Sequence, residues 1–146
     1  MKCKPFVFWI TFLMLTAATI NADDIPVTIE FQGVIPNGGR VFVAIYYSAD
    51  SYRNGNGPID QWAWIESTAE TVRVEMLIPE GECVVSGHQD ANGNGHLDFG
   101  AFGMPLENIA LSNYGGRGIP GNFNKLKVPV YRGVGAISVH LYKVRL

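Results

Sequence analysis

Short runs of alternating apolar and polar residues constrain the fold of this chain more than any other feature. In residues 27–32 the apolar side chains of Val27, Ile29 and Phe31 alternate with polar ones, and residues 72–78 repeat the pattern. A period of two places one set of side chains on one face of a β-strand, so each run predicts a half-buried strand. Patterns that favour helices are scarce, which indicates an all-β protein.

The predicted strands are short and are separated by segments rich in turn-forming residues. The chain has 17 glycines and 8 prolines, which are typical of tight turns. The strands are predicted at residues 27–32, 40–47, 62–65, 72–78, 82–88, 126–131 and 136–144. The strand at 82–88 is expected to form a hairpin with 72–78 across the turn at 79–81. About seven such strands predict a single antiparallel β-sandwich over residues 23–146.

The first 22 residues have the layout of a signal peptide. A basic start at residues 1–5 precedes an almost continuous apolar run at 6–19, and Ala22 supplies a small residue before two aspartates. The run is shorter than the roughly 20 residues that span a membrane, so cleavage is expected rather than a stable membrane anchor. The sequence thus predicts an exported protein, periplasmic or extracellular.

Charge and cysteine content exclude some functions. Removal of residues 1–22 leaves nine basic and thirteen acidic residues with no basic stripe, which argues against a nucleic acid partner. The predicted mature chain retains Cys83 as its single cysteine, so an internal disulfide cannot form. Since Cys83 lies in an apolar run, we expect a buried and inert thiol.

One segment carries a chemical motif, because residues 90–98 follow the pattern D-x-N-x-N-G-x-x-D. Calcium binds about six to eight oxygen atoms, and loops supply them from alternate positions. Gly95 permits the sharp turn that such loops need. The predicted ligands within the loop are side-chain oxygens and one main-chain carbonyl: Asp90, Asn92, Asn94, Asp98 and, through its carbonyl, His96.

The motif departs from a complete EF-hand loop. Its twelfth position is Ala101 instead of glutamate, and no helices are predicted beside it, so a calcium loop between strands is expected. Glu107 could fold back as the missing carboxylate. With two or three carboxylates the dissociation constant is expected to be about 10⁻⁴–10⁻³ M. The alternative is an ion-free turn, because Asn-Gly pairs form turns without any metal.

Two further groups of residues are candidates for function. His88 precedes Asp90 by two positions and is expected to orient it; alternatively, His88, Asp90 and Glu107 would form the polar site of an enzyme. Trp62 and Trp64 point to the same face of their strand. They would fill the sandwich core or form a platform for a carbohydrate or protein ligand, of which core filling is the preferred interpretation.

Three segments resemble the bacterial domain-of-unknown-function 2141 family: residues 79–85, 88–98 and 102–107. The resemblance covers nearly all of the mature chain. It implies an exported bacterial protein with a sandwich of transthyretin-like or prealbumin-like form, and it implies no reaction. The fold class expected is therefore a transthyretin-like or immunoglobulin-like sandwich. The family's recurring polar positions fall on His88, Asp90, Asn92, Asn94, Asp98 and Glu107.

The sequence therefore predicts an exported β-sandwich of unassigned function. The leading hypothesis is a non-enzymatic binding or structural module whose long loop is stiffened by weakly bound calcium. The alternatives are an enzyme with a His/Asp/Glu site and a module that binds carbohydrate or protein through tryptophans.

Overall fold

The chain forms mainly short strands, as described by a computed structural model covering residues 23–145. The signal peptide predicted for residues 1–22 lies outside the described residues. Single turns of 3₁₀-helix occur at Arg53–Gly55 and Ala101–Gly103. The strands and short helices are β1 Asp24–Gln32, β2 Val41–Tyr46, α1 Ala49–Tyr52, β3 Gln61–Ile65, β4 Thr71–Pro79, β5 Gly81–Gln89, β6 Ile109–Leu111, α2 Phe123–Leu126, β7 Val128–Val130 and β8 Ile137–His140.

These strands form two sheets. The smaller sheet has the order β4-β1-β8, and the larger has the order β3-β2-β5-β6, with β7 paired to the start of β5. All of these pairs are antiparallel except β1 and β8, which run parallel. The predicted all-β sandwich is confirmed, with eight strands in the described chain where about seven were expected.

The main hydrophobic core lies between the two sheets. Alternate residues of β1, namely Val27, Ile29 and Phe31, are fully buried in it. Val43 of β2 and Val85 of β5 meet them from the larger sheet. The period-two pattern of the sequence is therefore the inward face of each strand, and burial of this face is the main stabilising term of the fold.

A second hydrophobic cluster covers part of the outer face of the larger sheet. Tyr46 and Val84 project away from the main core and pack with Tyr52 of α1 and with Phe123 and Leu126 of α2. Both helices are capped at their N-termini by side chains, of Ser48 and Asn122 respectively. Because the helices cover one end of this face, β2 and β5 bury side chains on both faces there.

The predicted hairpin between residues 72–78 and 82–88 is wrong. Although β4 and β5 are separated only by Glu80, β4 pairs with β1 in one sheet and β5 pairs with β2 in the other. The turn therefore carries the chain from one sheet to the other. Gly81 has φ of 141° at this crossing, a conformation that favours glycine.

The C-terminal half also differs from the expected strand limits. Strand β6 was not predicted, because all of its three residues are buried and no alternation marks it. The strand expected at 126–131 is limited to β7, since residues 123–126 form α2. The strand expected at 136–144 ends at His140, after which Tyr142 bridges to Ile109 of the other sheet.

The cysteine prediction agrees with the structure. Cys83 is free and fully buried in the main core, and desolvation raises the pKa of its thiol to about 11. Within residues 23–145, no helix has the length and apolar character needed to cross a membrane.

Candidate functional site

The loop at residues 90–98 follows β5 directly and folds around Asp90. This side chain is only 1% exposed. Its Oδ1 accepts a hydrogen bond from the main-chain N–H of Asn94 at 3.1 Å, and its Oδ2 accepts one from that of Gly95 at 2.8 Å. Gly93 and Gly95 adopt left-handed conformations, with φ of 73° and 80°. The loop thus curls so that its main-chain donors point at the carboxylate.

The two asparagines of the motif turn their side chains into the same loop. Asn92 Oδ1 accepts from the N–H of Asn94 at 3.1 Å, and Asn94 Oδ1 accepts from that of His96 at 2.9 Å. Their amide groups donate to Asp98 Oδ2 at 2.7 and 2.8 Å. Asp90, Asn92, Asn94 and Asp98 therefore belong to one hydrogen-bonded cluster, and each acceptor oxygen of the asparagines keeps a second lone pair.

Glu107 returns to this loop from a distant part of the sequence. Its Oε1 accepts a hydrogen bond from the N–H of Ala91 at 2.8 Å. The side chain is only 7% exposed, and its Oε2 is buried without a hydrogen-bond partner among residues 23–145. A carboxylate oxygen that is buried without a donor costs free energy that a proton or a cation would offset.

The acidic side chains do not form a metal site alone. In the part of the chain described, no group of three or more His, Cys, Asp or Glu side chains is placed to hold a metal ion. Any ion would depend on asparagine and main-chain oxygens as well as on carboxylates. The side chain of His96 is exposed, and its N–H is used by Asn94, so its carbonyl is the group left for this role.

His88 lies beside the loop, but within residues 23–145 its side chain forms no hydrogen bond to Asp90 in the orienting role predicted for it. It is 7% exposed, and its Nε2 is buried without a hydrogen-bond partner in the described part of the chain. Desolvation lowers the pKa of its imidazole, although Glu107 and Asp90 act in the opposite direction. Phe42 and Trp64 pack around the ring, with centroid distances of 5.3 and 6.0 Å.

The three side chains that the enzyme hypothesis combines, His88, Asp90 and Glu107, are each at most 7% exposed. A general acid or base must come within hydrogen-bond distance of its substrate. Two grooves on the described surface, one beside Arg117 and one beside Ser67, are not lined by any of these three side chains.

Trp62 and Trp64 do not fill the sandwich core, so the preferred interpretation of these residues was wrong. In the sheet register Trp64 lies beside Phe42, whose neighbours Val41 and Val43 belong to the main core, so these rings project from the outer face. Trp62 is 61% exposed. The period of two placed both tryptophans on one face correctly but could not say which face was buried.

The tryptophans form an outer aromatic surface together with Phe42 and Arg40. The ring of Phe42 lies 6.2 Å from Trp62 and 4.9 Å from Trp64 between centroids. The guanidinium of Arg40 lies 4.6 Å from the centroid of Trp64, a cation–π contact. Tyr46 does not belong to this surface, because it is buried under α1.

Residues 29–138 match a family described as an uncharacterized protein conserved in bacteria, DUF2141. The chain belongs to this family. Searches of the curated proteins and of the solved structures found no match to the chain. The DUF2141 match spans β1 to β8 and includes the whole loop, Glu107 and the aromatic surface.

Two residues that support the loop in this DUF2141 protein, Gln89 and Gly39, were not predicted from the sequence. The buried side chain of Gln89 bonds to the N–H and carbonyl of Ile35 and to the carbonyl of Gly39. Gly39 has φ of 100°, and a Cβ added to it would lie 1.8 Å from the carbonyl oxygen of Asp90. The sequence marks Gly39 only as part of a Gly-Gly turn, and no sequence pattern indicates a structural role for Gln89.

Replacement of Gly39 is expected to disturb the loop by displacing the main chain of Asp90. Gly39→Ala should lower the free energy of unfolding by about 2–4 kcal/mol, because its φ is unfavourable and its Cβ meets main-chain atoms. The measurement is urea unfolding followed by circular dichroism. Gly135→Ala is the control, since a Cβ there meets no atom within 4 Å and φ is not in the positive range. Equal stability of the two variants would contradict the proposed support.

Proposed function

We propose that this protein is an exported, non-enzymatic β-sandwich module whose loop at residues 90–98 holds a calcium ion. The observation that carries the proposal is the Oε2 of Glu107, which is buried beside the loop without a partner. Export is supported by the basic start and apolar run of residues 1–22.

The residues present fit a calcium ion by their chemistry. Calcium prefers carboxylate, amide and main-chain oxygens and tolerates irregular coordination. The loop offers Asp90 and Asp98 as carboxylates and Asn92 and Asn94 as amide oxygens, and Glu107 adds a third carboxylate. The ion would supply positive charge among these three carboxylates, while the main-chain bonds to Asp90 already hold the loop in its curled form.

The ion is proposed to be structural. Binding that is restricted to the folded state stabilises it by RT ln(1 + [Ca²⁺]/Kd), about 1.4 kcal/mol at a calcium concentration tenfold above Kd. The loop joins β5 to the segment leading into β6, so this stabilisation would act on one of the longest connections in the fold.

A thermal melt of the chain from residue 23 onward tests the proposal. Calcium at millimolar concentration should raise the Tm by about 5 °C relative to EDTA, with a smaller rise in magnesium, because magnesium demands a stricter octahedral geometry. Glu107→Gln should abolish the calcium-dependent rise, since it removes the charge but keeps an oxygen for Ala91.

Glu75→Gln is the matched control for this experiment. Glu75 is exposed on β4 in the smaller sheet, so its neutral variant should keep the full response to calcium. Identical melts of the unaltered chain in EDTA and in calcium would refute the ion site. A full calcium response in Glu107→Gln would refute the role of Glu107.

The exposure of Trp62 favours a second candidate function, binding of a carbohydrate on the outer aromatic surface. An exposed indole offers a flat apolar face to the C–H groups of a sugar ring, and Phe42 and Trp64 extend that face. Arg40 adds hydrogen-bond donors at its edge. Such a mixture of aromatic surface with few polar groups is typical of small-ligand sites.

Tryptophan fluorescence reports on this surface with little background. Of the three tryptophans, Trp9 lies in the predicted signal peptide, so the emission of the mature chain comes from Trp62 and Trp64. Titration with cellotetraose and chitotriose should quench it saturably, and Trp62→Ala should weaken binding about tenfold. Tyr131→Ala, which removes an exposed ring elsewhere, is the control. Lack of quenching by either sugar, or undiminished binding in Trp62→Ala, would count against this function.

A further inference from the structure

We propose that a short hairpin at residues 99–106, here called the apolar hairpin, docks the protein on a lipid surface that carries negative charge. The hairpin follows the loop at residues 90–98 and lies between Asp98 and Glu107 in the sequence. The proposal rests on the exposure of its apolar side chains and on the cations beside it. It does not depend on the proposed calcium ion.

The apolar hairpin closes through its own main-chain hydrogen bonds. Leu106 N donates to Asp98 O at 2.8 Å, and Gly100 N donates to Met104 O at 2.8 Å. Phe99 and Pro105 form an antiparallel bridge between these bonds. A Cβ added to Gly100 would lie 2.8 Å from Leu106 Cδ2, so the side chain of Leu106 packs across the hairpin.

Three large apolar side chains of the hairpin face solvent. Phe102, at the tip, is 99% exposed, and Phe99 and Leu106 are 58% and 55% exposed. Phe102 also has φ of 59°, a left-handed conformation that is unfavourable for a bulky residue. Phenylalanine thus occupies a strained position at the tip, where asparagine or glycine would adopt the same backbone conformation at a lower energetic cost. This placement points to a function for the exposed ring.

A strip of cations begins at the base of the hairpin. Lys143 Nζ donates a hydrogen bond to the carbonyl of Leu106. Arg145 follows on the same extended segment and pairs with the segment that contains Arg117. None of these three side chains forms an ion pair with a carboxylate among residues 23–145. Ile119, which is 88% exposed, lies at the far end of the strip.

This combination favours an anionic lipid surface over a protein partner. Three side chains at a tip offer too little area for a stable protein interface, which buries roughly 1,200–2,000 Å² in total. A membrane needs less, because insertion of a few apolar side chains is reinforced by attraction of about 1 kcal/mol for each lysine or arginine near anionic headgroups. The overall charge of the mature chain is negative, so the cationic strip would orient the protein.

Vesicle flotation tests the proposal with the chain from residue 23 onward, because the apolar run at 6–19 would itself bind lipid. The protein is mixed in EDTA with phosphatidylcholine vesicles that contain or lack phosphatidylglycerol. It should float with the anionic vesicles and not with the neutral ones, and salt should weaken the binding. Failure to bind anionic vesicles would overturn the proposal.

Two pairs of variants separate the apolar and electrostatic contributions. Phe102→Asn should weaken vesicle binding at least about tenfold and should not impair folding, because asparagine tolerates the left-handed conformation. Ile59→Asn is its control at another exposed apolar position.

Lys143→Gln with Arg145→Gln should weaken binding by about fivefold for each charge. Arg53→Gln with Lys125→Gln removes the same charge at the two short helices and should have a smaller effect.

The outcomes distinguish this proposal from the calcium loop. Vesicle binding in EDTA that is lost in Phe102→Asn supports the hairpin even if calcium leaves the Tm unchanged. A calcium-dependent Tm without vesicle binding overturns the hairpin proposal alone. Concentration-dependent dimerisation of the chain in sedimentation velocity, abolished by Phe102→Asn and without vesicle binding, would show that the tip contacts another copy instead.

Discussion

The pairing of β5 with β6 is the constraint on which the candidate site depends. His88 lies opposite Ile109, and the next bond, from Gln89 N to Asn108 O at 3.0 Å, continues the ladder beyond β6. This register carries Glu107 to the start of the loop, where it accepts a hydrogen bond from Ala91. Two carboxylates that are 17 residues apart in the sequence, Asp90 and Glu107, are thereby both buried at the start of the loop. A one-residue shift in the pairing of β6 with β5 would separate the two carboxylates. Every side chain of the shifted strand would then point to the other face of the sheet.

Burial of these carboxylates explains how the rest of the loop is built. Asp90 is satisfied by main-chain donors that only a curled, glycine-containing loop can present. Gln89 and Gly39 hold the neighbouring turn against the main chain of Asp90. Glu107 is the exception, since one of its oxygens has no donor. The proposed structural cation would compensate that oxygen, which an ion-free turn leaves unpaired.

The fold and the loop were predictable from the sequence to different degrees. Alternation identified β1 and β4 because one face of each is buried and the other is polar or partly exposed, whereas β2 was predicted as a more apolar strand. It failed for β6, which is buried throughout, and it could not reveal that β4 and β5 belong to different sheets. It placed Trp62 and Trp64 on one face but could not show which face was buried, because α1 and α2 cover part of the outer face and make both faces of the larger sheet apolar. The roles of Gln89 and Gly39 arise from tertiary contacts, which no local pattern records.

A crystal structure of the chain grown with calcium tests the central claim most directly. The account predicts an anomalous difference peak within about 2.3–2.6 Å of oxygen atoms from Asp90, Asp98 and Glu107. In that state the amide groups of Asn92 and Asn94 should no longer donate to Asp98. A loop without such a peak, in which both asparagines still donate to Asp98 and Glu107 Oε2 is paired with another donor, would contradict the account.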